Sequence, residues 1–382
     1  MTNQTPFIFH DLQDSQIFAL AQSVGKQGYL AHGIVQDLQQ APWVKHSRYI
    51  QHIIESPSLG DINAGLFALN LKKHAFNGVF VPVVDDIADL LAEYAPLLRK
   101  NGLQFLTPSP QHIKQINTFY LQQWHGKLSV PATAYCGGDD ILNTAISIGF
   151  PILLKSYRDG FIAFESADIL KQWLDSVEDY PFHFVQRVQR YIEGETNTLA
   201  TVMLLFDAQS RPVRGFTARR LSVVQTQFGP FGETVAAQAE WIPDLYDAAV
   251  ELLSEMGWVG FAEVECKQDQ TGQWHLLEVN PRLSGWSCLA EADGAGLLIA
   301  YHQLCTEDAT IEPACLQRST TSYSRIIASS MHQPNWSALN RTTYKKMLTY
   351  PENQCFGAWD NADKHANRAW ATYMLQRCQS QT

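Results

Sequence analysis

Residues 257–267 read Gly-Trp-Val-Gly-Phe-Ala-Glu-Val-Glu-Cys-Lys, and residues 274–285 read Trp-His-Leu-Leu-Glu-Val-Asn-Pro-Arg-Leu-Ser-Gly. Apolar and polar residues alternate over 258–266 and again over 274–279, which is the period of a strand with one buried face. The segment between them, Asp-Gln-Thr-Gly at 269–272, has the composition of a turn. These two stretches therefore predict a β-hairpin, and the rest of the chain is interpreted around it.

Three side chains with oxygen ligands lie near the open end of this hairpin. Glu278 and Asn280 are two residues apart on an extended strand, so their side chains leave the same face, and Glu265 can lie beside them on the partner strand. Two carboxylates and an amide suit Mg²⁺, which keeps several waters and takes further oxygens from substrate phosphates. Arg282 adds a planar cation for a transferring phosphoryl group. The alternative, a solvated strand end, fits the apolar strands less well, and the pattern favours a Mg²⁺-phosphate site.

Length and composition indicate a globular protein of more than one domain. The chain has 382 residues, which is too many for one typical core and favours two or three domains. Apolar residues make up 46% and charged residues 17%, so disorder is not expected. The net charge of −10 argues against non-specific nucleic-acid binding but not against a phosphate ligand, because bound Mg²⁺ and a few local cations set the field at such a site.

The sequence also bears on the cellular location. No apolar run reaches transmembrane length, and residues 1–6 lack the positive charge of a signal peptide. The seven cysteines are odd in number and form no Cys-x-x-Cys pair, so neither a disulfide framework nor a zinc site is indicated. We expect a protein of the reduced cytoplasm that acts away from membranes.

The first hundred residues alternate between strand and helix patterns. Strands are predicted at 7–9, 29–35, 78–84 and 104–106, and helices at 15–27, 62–74 and 87–100. This order predicts a parallel, helix-covered sheet, and no Gly-x-Gly-x-x-Gly follows the first strand to indicate a dinucleotide site. Asp85 and Asp86 follow an apolar strand, where open α/β sheets place ligands, but they also suit a helix cap and first turn.

Cationic side chains end two of the later strands. The apolar strand 149–155 ends in Lys155, which is costly to bury unless an anion meets it, whereas in the alternative it exits into solvent. A second hairpin, 200–206 with 212–221, ends in Arg219 and Arg220. Adjacent strand residues face opposite ways, so only one of the two arginines can point into a site.

Three segments of the chain resemble the ATP-grasp superfamily. They are the hairpin residues Glu-x-Asn-Pro-Arg at 278–282, the Pro-Ser-Pro segment at 108–110 and the run Val-Gln-Arg-Tyr-Ile-Glu-Gly-Glu at 188–195. The resemblance covers about residues 105–305. It implies an α/β protein whose ATP-grasp fold, two α+β subdomains that clamp ATP, follows a Rossmann-like parallel α/β domain. The resemblance implies a Rossmann-like domain at 1–106, an ATP-grasp domain at 107–312 and a C-terminal extension at 313–382. The ATP-grasp domain would consist of a lid subdomain at about 130–195 and a metal-binding subdomain at about 196–312.

The resemblance also implies roles for individual residues. Glu265, Glu278 and Asn280 would hold Mg²⁺, with Mn²⁺ as an alternative ion, and Arg282 and Arg220 would stabilise the reacting phosphoryl group. The implied ATP contacts are Lys155, Arg158, Gln189, Arg190, Ile192 and Glu195. Gln189 would accept from the purine amino group, the backbone of Arg190 and Ile192 would read the purine edge, and Glu195 would hold the ribose. A strand followed by a glycine turn with solvated acids is the alternative interpretation of 188–195.

Two features depart from the family pattern. The Asp-Lys pair that often supplies a nucleotide cation aligns with Asn117-Thr118, leaving Lys114 one turn earlier as a substitute. The glycine-rich lid after the phosphate lysine is reduced to residues 156–160, with one glycine and Arg158. The resemblance implies that a loop at 225–233 touches the acceptor substrate.

Within the superfamily, the segment 188–195 and the Thr-Ala-Arg-Arg-Leu strand at 217–221 look most like those of carboxylate–amine ligases. This implies an ATP-dependent enzyme that joins a small carboxylate and a small amine, an amino acid or peptide, through an acyl phosphate, and it allows a homodimer. A nucleotide-binding module with weak or no catalysis is the alternative, motivated by the reduced lid. An unrelated α/β protein that binds small carboxylates is a third class.

Overall fold

The structure, a computed structural model, describes residues 4–57, 64–116, 121, 124, 126–135, 140–156, 161–176, 185–223, 234–307, 310–324, 354–356 and 362–380. Three sheets organise these residues, with five, four and seven strands. None of the helices in these ranges is long and apolar enough to cross a membrane.

The first sheet is parallel, as its sequence predicts, and has the strand order β3-β2-β1-β4-β5. Its strands are β1 Phe7–Phe9, β2 Ala31–Val35, β3 Ile50–Glu55, β4 Gly78–Val81 and β5 Leu103–Gln104. Its helices are α1 Ser15–Lys26, α2 Pro42–His46, α3 Ala64–Lys73, α4 Asp85–Glu93 and α5 Ala95–Lys100. Consecutive residues of β1 are fully buried because helices cover both faces of the sheet.

Proline accounts for two differences from the sequence-based elements. The helix predicted over 87–100 is two helices that meet at Tyr94, because Pro96 in the first turn of α5 has no N–H to donate to the preceding turn. The strand predicted to run to residue 84 ends at Val81, directly before Pro82, for the same reason. Strand β3 was missed because this edge strand is partly exposed and reads Ile-Gln-His-Ile-Ile-Glu, without a clean alternation.

The second sheet is antiparallel and has the order β6-β9-β7-β8. Its strands are β6 Thr133–Ala134, β7 Ile152–Ser156, β8 Phe161–Phe164 and β9 Val185–Arg190, accompanied by α6 Pro110–Ile116, α7 Ile141–Ile148 and α8 Ala167–Ser176. Ser109 accepts a hydrogen bond from the His112 N–H and caps α6, whose first residue is Pro110.

The third sheet has the order β14-β13-β10-β11-β12-β15-β16. Its strands are β10 Leu199–Phe206, β11 Pro212–Val223, β12 Thr234–Ala239, β13 Gly260–Gln268, β14 Trp274–Asn280, β15 Ser322–Ser324 and β16 Gln354–Phe356. Its helices are α9 Pro243–Met256, α10 Cys288–Ala292, α11 Leu297–Thr306 and α12 Lys364–Ser380, with a short 3₁₀ helix at Gly285–Ser287. Both predicted hairpins are confirmed as β10–β11 and β13–β14.

One hydrophobic core joins the parallel sheet to the seven-stranded sheet through α11. Tyr301 of α11 is fully buried, stacks on Phe261, and donates a hydrogen bond to the carbonyl of Phe80 at 3.0 Å while accepting one from the N–H of Leu106 at 3.2 Å. At Gly260 (φ 83°), a Cβ would lie 2.9 Å from the Leu106 carbonyl oxygen, so only glycine permits this approach. These contacts bring the carboxyl edge of the parallel sheet up to the predicted site.

Candidate active site

The β13–β14 hairpin places four oxygen-bearing side chains on one face. Glu265 lies directly opposite Glu278, and Glu263 lies opposite Asn280. The pairing slips by one residue after Glu265, so Leu277 is the additional residue of a β-bulge that ends this cluster. The structure thus brings together Glu265, Glu278 and Asn280 as the sequence predicts. It adds Glu263, which could have been found because it is two residues from Glu265 on the same strand.

A cavity of about 640 Å³ opens beside this face and is lined by residues of the second and third sheets. Eight of the predicted site residues line it: Lys155, Gln189, Arg190, Ile192, Glu195, Arg220, Glu265 and Glu278. The volume lies within the range of small-molecule sites and suits a nucleotide.

Lys155 does not exit into solvent. Only 8% of the residue is exposed, and its Nζ lies 5.9 Å from the centroid of the Phe161 ring. Burial lowers the pKa of Lys155, while the carboxylates of Glu278 and Glu265 oppose that shift. A buried ammonium on the cavity wall, near two carboxylates, is placed to meet an anion that enters the cavity.

Gln189 presents an acceptor to the cavity. Its Nε2 donates to the Thr133 hydroxyl at 3.0 Å, and its Oε1 is buried and has no hydrogen-bond partner among the described residues. A buried amide oxygen of this kind fits a ligand amino group.

Hydrogen-bonding groups of Arg190, next to Gln189, already have partners within the protein. The Arg190 N–H already donates to the carbonyl of Ala132 at 2.7 Å, and its guanidinium donates to the carbonyl of Phe150. The sequence-based interpretation missed Lys267, a buried cation whose Nζ lies 3.2 Å from the Tyr191 hydroxyl on the cavity wall. Its position two residues after Glu265 on the same strand was the available signal.

The two arginines of β11 point in opposite directions, as predicted. Arg219 donates from Nε and Nη2 to the two carboxylate oxygens of Glu240, each at 2.8 Å. Arg220 is 8% exposed and pairs with Glu265, with an Nη2 to Oε1 distance of 2.5 Å. Arg220 is therefore the arginine inside the site.

Burial raises the pKa of Glu265 to about 7; Arg220 opposes this shift, and the carboxylates of Glu278 and Glu263 add to it. The main cause is the loss of hydration of the buried carboxyl group, and repulsion by the two neighbouring carboxylates is a smaller one. Two carboxylates and the Asn280 amide are a donor set that Mg²⁺ accepts when water and phosphate oxygens complete its shell. The described residues include no cluster of three or more His, Cys, Asp or Glu side chains placed to hold a metal, so such a site depends on the amide and on ligand oxygens.

Asn280 is held by the acids around it. Its Nδ2 donates to Glu278 Oε1 at 3.3 Å and to Glu263 Oε2 at 3.4 Å. The amide oxygen would face a cation between these acids after rotation of the side chain about χ2.

A second cavity, of about 280 Å³, adjoins the first and is lined by the loops after β1 and β4, by β11–β13 and by the 3₁₀ helix. Arg282 lies in this cavity and is not among the residues that line the larger one. Its Nε donates to Asp85 Oδ1 and its Nη1 to Glu263 Oε2, both at 2.8 Å. Asp85 is a first-turn acid of α4, as one of its two interpretations predicted, and it lies at the carboxyl edge of the parallel sheet, as the other predicted.

Arg220 and Glu265 line both cavities. The ion pair between them forms part of the boundary, so a group bound in either cavity reaches the same guanidinium. The smaller cavity opens where the strand order of the parallel sheet reverses between β1 and β4, which is where open α/β sheets bind ligands.

Several predicted positions lie outside the described residues: Arg158, Asn117 and Thr118, and the loop 225–233. Lys114 is described on α6 and does not line either cavity.

No family model matches the sequence. Solved structures do resemble it. They include the biotin carboxylase domain dimer of Hydrogenobacter thermophilus 2-oxoglutarate carboxylase with MgADP and bicarbonate (TM-score 0.62, 12% identity, covering 84% of this chain and 74% of that one). N5-carboxyaminoimidazole synthetase from Staphylococcus aureus has a TM-score of 0.57 and 12% identity, covering 81% of this chain and 79% of that one. L-amino acid ligase from Bacillus licheniformis has a TM-score of 0.54 and 13% identity, covering 84% of this chain and 79% of that one. The chain has the ATP-grasp fold that these proteins share, which confirms the predicted fold class.

Proposed function

We propose that this protein is an ATP-dependent carboxylate–amine ligase, which forms an amide or peptide bond through an acyl phosphate and releases ADP and phosphate. The observation that carries the proposal is the shared boundary of the two cavities at Arg220 and Glu265. ATP in the larger cavity and a carboxylate in the smaller one would meet at this guanidinium. The similar structures include a complex with MgADP and bicarbonate, a synthetase and an amino acid ligase, which agrees with this chemistry.

In the proposed complex the larger cavity holds the nucleotide. Gln189 Oε1 accepts from the purine amino group, Ile192 and Arg190 border the purine edge, and Glu195 reaches the ribose hydroxyls. Lys155 contacts the α- or β-phosphate, where its buried charge gains an anionic partner. Arg158, which lies outside the described residues, is assigned to the phosphates by the family resemblance alone.

Glu265, Glu278 and Asn280 would hold Mg²⁺, with Mn²⁺ as an alternative ion. The bound ion would neutralise charge on the β- and γ-phosphate oxygens. The side chains fit because the pair of carboxylates faces the cavity wall that also carries Lys155.

The chain's residues act mainly by positioning and by charge stabilisation, because transfer of a phosphoryl group to a carboxylate needs little acid–base chemistry. A substrate oxygen attacks the γ-phosphorus, the bond to the β–γ bridging oxygen breaks, and ADP leaves. Arg220 stabilises the negative charge that spreads over the phosphoryl oxygens. Arg282, held by Asp85 and Glu263, borders the carboxylate and the acyl phosphate. An amine then attacks the acyl carbon and phosphate departs.

The remaining assignments are part of the same proposal. The proposed domains are 1–106, 107–312 and 313–382. The protein is proposed to act in the cytoplasm on a small carboxylate and a small amine, and homodimer formation is compatible with this proposal. Within the third segment, β15 pairs with β12 of the seven-stranded sheet, so residues beyond 312 support the sheet that bears Arg220.

Release of ADP tests the proposal when amino acids and dipeptides are screened in pairs, each as acid and as amine. We expect release that requires both substrates and Mg²⁺, and its loss in Glu278→Ala with the fold retained by circular dichroism. Glu240→Gln, which disturbs Arg219 on the opposite face of β11, is the matched control and should keep full activity. Mg²⁺-dependent nucleotide binding without turnover across the whole panel would instead support a non-catalytic binding module, and persistent activity in Glu278→Ala would contradict the metal assignment.

A further inference from the structure

We propose that the carboxylate substrate bears a protonated amino group, which Glu263 binds in the smaller cavity. This inference rests on the proposed function, because it names the class of acid that the ligase activates. It assigns Glu263, on β13, the role of selecting amino-substituted acids over plain carboxylic acids.

Three of the residues that line this cavity each have a buried polar atom with no hydrogen-bond partner among the described residues. These atoms are Glu263 Oε1, Arg220 Nε and Thr234 Oγ1. The three residues are 1%, 8% and 4% exposed. Leaving a buried polar atom unpaired costs on the order of 1–3 kcal/mol, so three among the residues that line one cavity point to a ligand with matching groups.

The chemistry of these atoms fixes which ligand groups match. A guanidinium Nε can only donate, so it requires an acceptor such as a carboxylate oxygen. An ionised carboxylate can only accept, so Glu263 Oε1 requires a donor. One ligand that carries both a carboxylate and an ammonium satisfies both atoms at once.

Among the described acids that line this cavity, Glu263 is the one with a buried oxygen that has no hydrogen-bond partner. Its Oε2 is bound by Arg282, and its Oε1 is not. Asp85 gives one oxygen to Arg282 Nε at 2.8 Å and the other to Arg282 Nη2 at 3.5 Å. Asp14 uses Oδ1 to cap α1, accepting from the N–H groups of Gln16 and Ile17.

The charge of the cavity agrees with this assignment. Four carboxylates and two guanidinium groups line it: Asp14, Asp85, Glu263 and Glu265 with Arg220 and Arg282. An amino acid brings its own cation to a wall on which carboxylates outnumber guanidinium groups. The volume of about 280 Å³ accommodates a molecule of the size of an amino acid.

Matched acids test the inference with hydroxylamine as the common amine, so that only the acid varies. The pairs are alanine and propionate, glutamate and glutarate, and phenylalanine and 3-phenylpropionate. We expect the best amino acid to exceed its deaminated partner at least tenfold in kcat/KM for ADP release. Glu263→Gln, which keeps the side-chain shape and leaves Arg282 held by Asp85, should reduce the preference for the amino acid over its deaminated partner at least tenfold, measured as the ratio of the two kcat/KM values.

Other outcomes separate the alternatives. Equal use of both members of every pair would overturn the inference while leaving the ligase intact. An equal loss for both members in Glu263→Gln, with a shifted Mg²⁺ requirement, would make Glu263 a metal ligand and would also overturn it. No ADP release with any acid would contradict the proposed function itself.

Calorimetry tests the same claim without turnover. The six acids are titrated into the protein with Mg²⁺ and a non-hydrolysable ATP analogue present. Tighter binding of an amino acid than of its deaminated partner, lost in Glu263→Gln but kept in Glu240→Gln, is the expected result, and equal binding of both classes would overturn the inference.

Discussion

At the scale of single residues, the site depends on one buried ion pair. Arg220 holds Glu265 at 2.5 Å and also donates to the Thr201 hydroxyl at 3.3 Å. Removing one member of a buried pair leaves an uncompensated charge, so neither residue tolerates a neutral replacement well. A substitution that keeps the charge but changes its geometry therefore tests the role of Arg220 most cleanly.

Arg220→Lys should lower kcat for ADP release by about tenfold to a thousandfold, because an ammonium on a shorter stem cannot reach Glu265 and the phosphoryl oxygens together. The KM for ATP should change less than kcat. Steady-state kinetics check this, and Arg219→Lys, on the other face of β11, is the control that should remain near full activity. A similar loss in both variants would indicate damage to the strand rather than to the site.

Glu291 gives a prediction about stability and pH. Burial raises its pKa to about 7, although its Oε1 accepts from the Leu298 N–H at 3.0 Å. Its ordinary pKa is 4.5, so the folded state holds the proton more tightly than the unfolded state. The stability of the protein should therefore fall as pH rises from about 4.5 to about 7, and remain lower above that.

Glu291→Gln keeps the acceptor and removes the charge. The difference in free energy of unfolding between the variant and the parent should increase by about 1–3 kcal/mol, in favour of the variant, from pH 5 to pH 8. Urea unfolding at both pH values measures the difference. A gap that does not widen with pH would contradict the assignment.

Residue-level prediction from the sequence succeeded where strand geometry sufficed. The spacing of Glu278 and Asn280, and the opposite directions of Arg219 and Arg220, follow from the two-residue period of a strand. Glu263 and Lys267 share that period with Glu265 but were not assigned, because one-sided strand patterns do not say how far a cavity extends. The engagement of Arg282 with Asp85 also escaped, since no local pattern reports contacts made 197 residues apart.

At the scale of elements, Asp293 determines how the chain enters the edge of the seven-stranded sheet. Asp293 is fully buried after α10, and its two carboxylate oxygens accept from four consecutive N–H groups, those of residues 318–321. The donor–acceptor distances are 2.7–3.0 Å. This network aligns residues 318–321 so that β15 can pair with β12.

Asp293→Ala should destabilise the protein by about 2–4 kcal/mol, because four buried donors lose a charged acceptor. Urea unfolding measures this change as a lower denaturation midpoint with an unchanged m-value. Asp175→Ala breaks an exposed ion pair with Lys171 and should change stability by less than about 0.5 kcal/mol. If Asp293→Ala proved as mild as this control, the network would not hold β15 in place.

Element boundaries were predictable where proline, glycine or periodicity marked them. Helix α9 begins at Pro243 and ends at Met256, directly before Gly257, and residues 294–296 separate α10 from α11, with Gly294 and Gly296 both at positive φ. Strand order was not predictable in the same way. The pairing of β15 with β12, and of β13 with β10, depends on contacts between distant segments that no local pattern encodes.

At the scale of the whole molecule, the parallel sheet and the seven-stranded sheet share one core, and the two cavities meet beside it. The C-terminal helix extends this arrangement: Asp363, buried just before α12, accepts from the Ser47 hydroxyl at 2.5 Å and from Gln22 Nε2 at 3.0 Å. Residues near the two ends of the described chain therefore support each other.

The central claim is that a substrate carboxylate attacks ATP at the boundary marked by Arg220 and Glu265. Transfer of ¹⁸O tests it most directly. The protein is incubated with Mg-ATP, hydroxylamine and amino acids labelled with ¹⁸O in the carboxylate, and the released phosphate is analysed by mass spectrometry. We predict one ¹⁸O atom in each phosphate formed, because the acyl phosphate keeps the carboxylate oxygen on phosphorus. Release of ADP with unlabelled phosphate would contradict the claim, since water rather than the carboxylate would then have been the nucleophile.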